Sequence, residues 1–111
     1  DIIHISDVCN LIILQIKKFK KIKNDTFNIG GGYKNKIDLK TLTKKCIKMT
    51  NNKVKISKIY KTSNYDVPYY ISNNKKIFSK YNYKIKKNID DILGDTLNWQ
   101  KKNLILLKKY L

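Results

Sequence analysis

Arginine and alanine are missing from this sequence altogether, and proline, tryptophan, methionine and histidine each occur once. Each gap weighs against a class of function. Arginine reads guanine edges with two hydrogen bonds and clamps phosphates in a planar fork. All 25 basic residues are lysine, so the formal net charge of +17 does not by itself describe a nucleic-acid face. Lysine, isoleucine, asparagine and tyrosine are abundant instead. Their codons are rich in adenine and thymine, whereas those of alanine and arginine mostly are not. The charge therefore reads as genome composition carried on a solvated surface. The one histidine, His4, falls in a strand-like run, where a packed, hydrogen-bonded role is commoner than a general base. Cys9 and Cys46 have neither metal-ligand spacing nor a C-x-x-C, and both fall on apolar faces of helical patterns. They read as small buried hydrophobes in a reducing cytoplasm. The longest apolar run covers residues 11–14, far short of the about 20 residues a membrane span needs. No signal peptide is visible. No G-x-G-x-x-G and no P-loop occurs.

A chain of 111 residues is the size of one domain with a modest core. It opens on Asp-Ile-Ile-His-Ile, a strand-like run without a lead-in, which is the pattern expected of a piece cut from a longer protein. The organising stretch is residues 26–32, Thr-Phe-Asn-Ile-Gly-Gly-Gly. It reads as a buried strand running into three glycines, with helical patterns over residues 7–19 and 38–49 on either side. A strand between two helices is the unit of a parallel α/β sheet.

The remaining elements follow from periodicity. Residues 2–5 are rich in β-branched residues and read as a short strand. Ser6 or Asp7 is placed to cap the helix whose buried stripe would be Val8, Leu11, Ile12, Ile16 and Phe19. Lys17, Lys18, Lys20, Lys21 and Lys23 end it on the side that suits the helix dipole, and Asn24-Asp25 turns the chain. Asp38 is the next cap, before a stripe of Leu39, Leu42, Cys46 and Met49. Asn51-Asn52 is a turn. Residues 53–59 alternate as a half-exposed strand with Val54 and Ile56 on one face. A polar loop over residues 61–68 carries the lone proline and Asp66. A brief helix over residues 73–81 bears Ile77 and Phe78 and ends at Asn82. One long helix then runs from Asn88 towards the end, with Trp99 packed beside its apolar face. Asp90, Asp91 and Asp95 in its first turns complement its dipole.

Four phrases stand in order along the chain: Asp1-Ile-Ile-His-Ile-Ser-Asp7-Val8, Thr26-Phe-Asn-Ile-Gly-Gly-Gly32, Asp66-Val-Pro-Tyr-Tyr70 and Asp95-Thr-Leu-Asn-Trp99. Together they resemble the carboxyl-terminal portion of the NAD-dependent epimerase/dehydratase family, the extended short-chain dehydrogenases that act on nucleotide sugars. The family's matching phrases are an R-D-x-x-H-V-x-D-V strand–helix, an F-N-[IV]-G strand end, an R-x-G-D loop and a closing D-T-x-x-W helix. The resemblance covers nearly the whole chain.

The resemblance implies an α/β fold: the carboxyl-terminal part of a Rossmann-like parallel sheet plus a small mixed α/β substrate lobe. Residues 1–32 would be the last strand–helix–strand elements of an NAD-binding domain and residues 33–111 the nucleotide-sugar lobe. Asp66 matches the acid that holds the nucleoside ribose, and Tyr70 a position beside the hexose. Ser63 stands where the family has its diphosphate-binding loop arginine, and Tyr65 where it has the loop glycine; Lys58 or Lys61 would have to supply the missing cation. NAD and the tyrosine–lysine couple of the chemistry belong to the amino-terminal part, so no catalytic residue is expected here. The implied partners are a nucleotide sugar, that amino-terminal part and a second copy in a homodimer, in the cytoplasm and off the membrane. Two other readings fit the same residues: a small lysine-rich nucleic-acid-binding module, and a degenerate, non-catalytic paralogue.

Overall fold

The computed structural model describes residues 1–20, 25–52, 54–57, 59 and 63–110. Its regular elements are helices: α1 (Ile5–Lys17), α2 (Leu39–Thr50), α3 (Lys75–Tyr81), α4 (Ile89–Lys102) and α5 (Leu104–Tyr110), with a 3-10 turn at Tyr33–Asn35. No strand occurs among the described residues. This overturns the expected α/β architecture, both the Rossmann-like parallel sheet and the sheet of an extended short-chain dehydrogenase. A β-branched run reports a preference for extended, half-buried backbone and does not supply a ladder partner. Residues 2–4 and 26–29 have no regular secondary structure, and other groups satisfy backbone around them. The N–H of Ile2 donates to the carbonyl of Asn35 at 3.1 Å. Residues 54–57 and 59 form no strand either, and Val54 and Ile56 are exposed; Lys53, Lys58 and Lys61 lie outside the described residues.

Local chemistry sets the helix ends. His4 caps α1, its Nδ1 accepting the N–H of Ser6 at 3.0 Å, so the cap is neither Ser6 nor Asp7 and His4 is not a strand residue. Asp38 caps α2 as expected, accepting from the N–H of Thr41 at 2.9 Å. The helix stops at Asn51, in the left-handed region at φ 51°, and α3 stops at Asn82 in the same way at φ 50°; asparagine tolerates that conformation better than most residues. At the start of α4, Asn88 and Asp91 form a reciprocal capping box. The single long helix expected after Asn88 is two helices. The Asn103 side-chain amide donates to the carbonyl of Trp99 at 2.8 Å, and its N–H bonds back to Trp99 and Gln100. That local bonding competes with continuing the ladder.

The core is small. Leu11, Ile77, Tyr81 and Tyr83 are its buried apolar residues, and Leu14, Phe27, Ile29 and Phe78 pack against them. Phe27 meets Tyr81 edge-on with centroids 5.5 Å apart, a favoured aromatic geometry. Thus α1, α3 and the chain around Phe27 and Ile29 meet in this one small core. The buried face of α1 runs through Asp7, Leu11 and Leu14, so Ile12, Ile16 and Phe19 of the expected stripe face outward. Leu39 and Met49 on α2 are also exposed, and Trp99 is 53% exposed. Cys9 is exposed rather than buried, Cys46 is half-buried, and both are free thiols. Among the described residues, no helix is long and apolar enough to cross a membrane.

Candidate functional site

The three glycines are held from two sides. One carboxylate oxygen of Asp1 accepts from the N–H groups of Gly32 and Ser72, the latter at 3.0 Å, and the other accepts the Ser72 hydroxyl at 3.3 Å. The buried Asn74 side chain accepts the N–H of Gly30 at 3.1 Å and donates to its carbonyl at 2.8 Å. A side-chain amide here does what a neighbouring strand would do. Close approach explains the glycines. A Cβ on Gly31 would lie 1.9 Å from the carbonyl oxygen of Ile2. Gly32, at φ 62° and ψ −164°, occupies backbone space that is essentially glycine-only. The turn is filled by the chain's own Asp1, Ile2, Ser72 and Asn74. It leaves no cradle for a dinucleotide pyrophosphate at this turn.

A second polar knot surrounds Asp7, which is fully buried. The Tyr83 hydroxyl donates to its backbone carbonyl at 2.8 Å and to its carboxylate at 3.0 Å, and the N–H groups of Lys86 and Lys87 each donate to the carboxylate at 3.1 Å. Burial pushes the Asp7 carboxyl up, but the hydrogen bonds from Lys87, Lys86 and Tyr83 and the nearby His4 outweigh it, and the group lies below its ordinary range. Burial and the Asp7 carboxylate push the Tyr83 phenol up to about 12. Beside this knot, the amide of Asn35 donates to the carbonyl of Lys87 at 2.9 Å. His4 faces Asp95 at 3.5 Å, and Lys87 holds the same carboxylate at 2.7 Å. With Nδ1 engaged by Ser6, His4 is a capping and pairing residue.

The residues expected to touch substrate are on the surface. Ser63 and Asp66 close one tight turn: the N–H of Asp66 donates to the carbonyl of Ser63 at 3.1 Å, and the N–H of Ser63 to the Asp66 carboxylate at 3.3 Å. Tyr65, at the tip, is 95% exposed. Tyr70 is exposed too. Immediately after Tyr70 the chain enters a cleft of about 650 Å³ lined by Gly31–Lys34, Ile71–Lys75, Phe78, Lys84 and Ile85. Asp1, Asn74 and Tyr83 were not singled out by sequence reasoning. Periodicity marks apolar faces, and a buried aspartate or asparagine has no apolar signature. The Asn73-Asn74 pair ahead of α3 was the one available hint.

No protein-family model, no curated protein and no solved structure matches the chain.

Proposed function

We propose that this chain supplies the sugar-nucleotide side of an NAD-dependent epimerase/dehydratase. The observation that carries the reading is the meeting of phrases far apart in sequence. Asp1 of the first bonds Gly32 of the second and Ser72, just beyond the third, while His4 of the first pairs with Asp95 of the fourth. These contacts link the first phrase to the second and the fourth. In this reading Asp66 accepts from the ribose hydroxyls, for which an exposed carboxylate at a turn is suited. Tyr70 offers an aromatic face to the hexose. NAD and the hydride chemistry lie outside residues 1–111.

Calorimetric titration tests it. CDP-glucose is a suitable probe, because it carries both the ribose assigned to Asp66 and the hexose assigned to Tyr70. The 111-residue chain should bind CDP-glucose and give no binding heat with NAD. Asp66→Ala should weaken CDP-glucose about tenfold, the scale of one hydrogen bond to a charged group. Micromolar NAD affinity, or CDP-glucose binding indifferent to Asp66→Ala, overturns the assignment.

A further inference from the structure

The last two helices carry a face that neither the core nor the sugar-nucleotide reading accounts for. No residue of α4 or α5 is buried. Backbone bonds bridge the joint between them. The N–H of Asn103 donates to the carbonyl of Trp99 at 3.1 Å, and the N–H of Leu107 to the carbonyl of Asn103 at 2.9 Å. Each spans four residues, as in an α-helix, so residues 99–110 keep roughly one helical register. At about 100° per residue, Leu106, Trp99, Tyr110, Leu107 and Leu104 fall on one arc of about 160°. Gln100 and Asn103 are the polar residues within it. Trp99, Leu104 and Leu106 are half exposed, and Tyr110 more than half.

The opposite side is cationic. Lys101, Lys102, Lys108 and Lys109 fall on an arc of about 120°, with the almost fully exposed Ile105 between them. All four lysines are exposed, and residues 96–111 contain no acid. The Lys109 ammonium lies 5.8 Å from the centroid of the Tyr110 ring, at the border of the two arcs. Lysine can run its methylene stem along apolar surface and keep its charge in water. An apolar face bearing tryptophan and tyrosine, backed by a polar face charged by lysine alone, is the composition of helices that lie in a membrane–water interface. One sign of charge along the whole stretch suits a uniformly anionic surface.

We propose that residues 99–110 dock on an anionic lipid surface, with Trp99, Leu104, Leu106 and Tyr110 entering the interface and Lys102 and Lys109 bordering it at headgroup level. Such a helix lies on a bilayer and does not cross it. The proposal departs from the off-membrane placement that the resemblance implies, and it does not depend on the sugar-nucleotide reading. The rival surface is on α1, where Ile12, Ile16 and Phe19 are exposed near Lys17 and Lys20. That stripe has no tryptophan or tyrosine to sit at headgroup level.

Trp99 is the only tryptophan of the chain, so its emission reads this face directly. The full chain would be titrated with vesicles of phosphatidylcholine and with vesicles of an equal mixture of phosphatidylcholine and phosphatidylglycerol. The expected result is a blue shift on the mixed vesicles, with association at least about tenfold tighter than on phosphatidylcholine and weaker as salt screens the headgroups. L106S/Y110S and K102Q/K109Q should each weaken association with the mixed vesicles at least about tenfold, and K17Q/K20Q less than about twofold. All six residues are exposed, so substituting them in pairs leaves the fold intact. Equal losses in K102Q/K109Q and K17Q/K20Q overturn the site and leave diffuse attraction by a chain of net charge +17. Unchanged association of L106S/Y110S overturns the apolar half of the proposal, and equal binding to the two kinds of vesicle overturns the charged half. No shift on the mixed vesicles overturns the whole. A shift that grows with protein concentration in the absence of lipid, with a dimer in sedimentation, assigns the face to a second copy of the chain instead. A shift on duplex DNA and not on vesicles assigns it to nucleic acid.

Discussion

At the scale of single residues the glycines divide sharply. Gly31 is fixed by backbone: the methyl of an alanine would be placed 1.9 Å from the carbonyl oxygen of Ile2, and no rotamer can relieve that. Gly94, inside α4, has nothing within 4 Å of where a Cβ would stand. Gly31→Ala should therefore destabilise by at least about 1–3 kcal/mol, the usual cost of forcing atoms into a filled site. Gly94→Ala should stabilise by about 0.5–1 kcal/mol through helix propensity. Urea unfolding of the two variants measures both. A neutral Gly31→Ala would mean that Ile2 does not pack against the turn. The importance of residues 30–32 was legible in the sequence, because three consecutive glycines have few explanations. Their partner was not. The run suggested a turn opening onto a ligand, whereas the space is taken by Asp1, Ile2, Ser72 and Asn74, and nothing in local sequence says which distant segment arrives. The same holds for Asp66 and Tyr70. The loop around Asp66 was readable from composition, but the cleft that opens at Ile71, with Lys34, Lys75 and Lys84, forms only where three separate segments converge.

At the scale of elements, the helix ends at Asp38, Asn51 and Asn82 were legible, whereas the cap of α1, the break at Asn103 and the strand signals were misread. Asp38, Asn51 and Asn82 mark boundaries by their own side chains or their own backbone freedom, so their effect is local and survives any tertiary arrangement. A strand is a relation between two segments, and the extended runs around Ile2, Phe27 and Val54 found no ladder partner. Burial faces failed for a related reason. The pattern of α1 allowed two overlapping stripes, and the one through Ile12 and Ile16 was discarded because Asp7 anchors the opposite side to Tyr83, Lys86 and Lys87. The capping box of α4 offers the cleanest test at this scale. Asn88 accepts the N–H of Asp91 at 3.0 Å, and Asp91 accepts the N–H of Asn88 at 2.8 Å. Asn88→Ala removes the first of these and should cost about 1 kcal/mol, with a loss of helical circular dichroism on warming that precedes the main transition. A change of under a few tenths of a kcal/mol would show that packing, not the cap, fixes the start of α4.

At the scale of the whole molecule, charge and shape act together. The radius of gyration is 17.5 Å, against about 13 Å for a compact domain of this length. Few apolar side chains are fully buried, and Ile5, Ile16, Phe19, Leu39 and Ile105 among others lie exposed. A core of that size sets little against the mutual repulsion of a +17 chain. The ion pairs do not compensate, since Lys45–Asp90, Lys76–Asp25, Lys80–Asp25 and Lys87–Asp95 all have a partly or fully solvated member, and such pairs contribute about 0–1 kcal/mol each. Two effects of salt therefore oppose each other. Screening weakens those few pairs, and it also weakens repulsion among all the remaining lysines. Repulsion involves many more pairs at longer range, and the Debye length shrinks from about 30 Å at 0.01 M to about 3 Å at 1 M. Repulsion should win. Raising sodium chloride from about 0.02 M to about 0.5 M should then lift the midpoint of thermal unfolding by about 5 °C, the shift that roughly 1 kcal/mol produces in a domain of this size. A midpoint that falls with salt would assign net stability to the specific ion pairs, above all the Asp25 carboxylate, which hydrogen bonds from Lys76 and Lys80 hold at about 2.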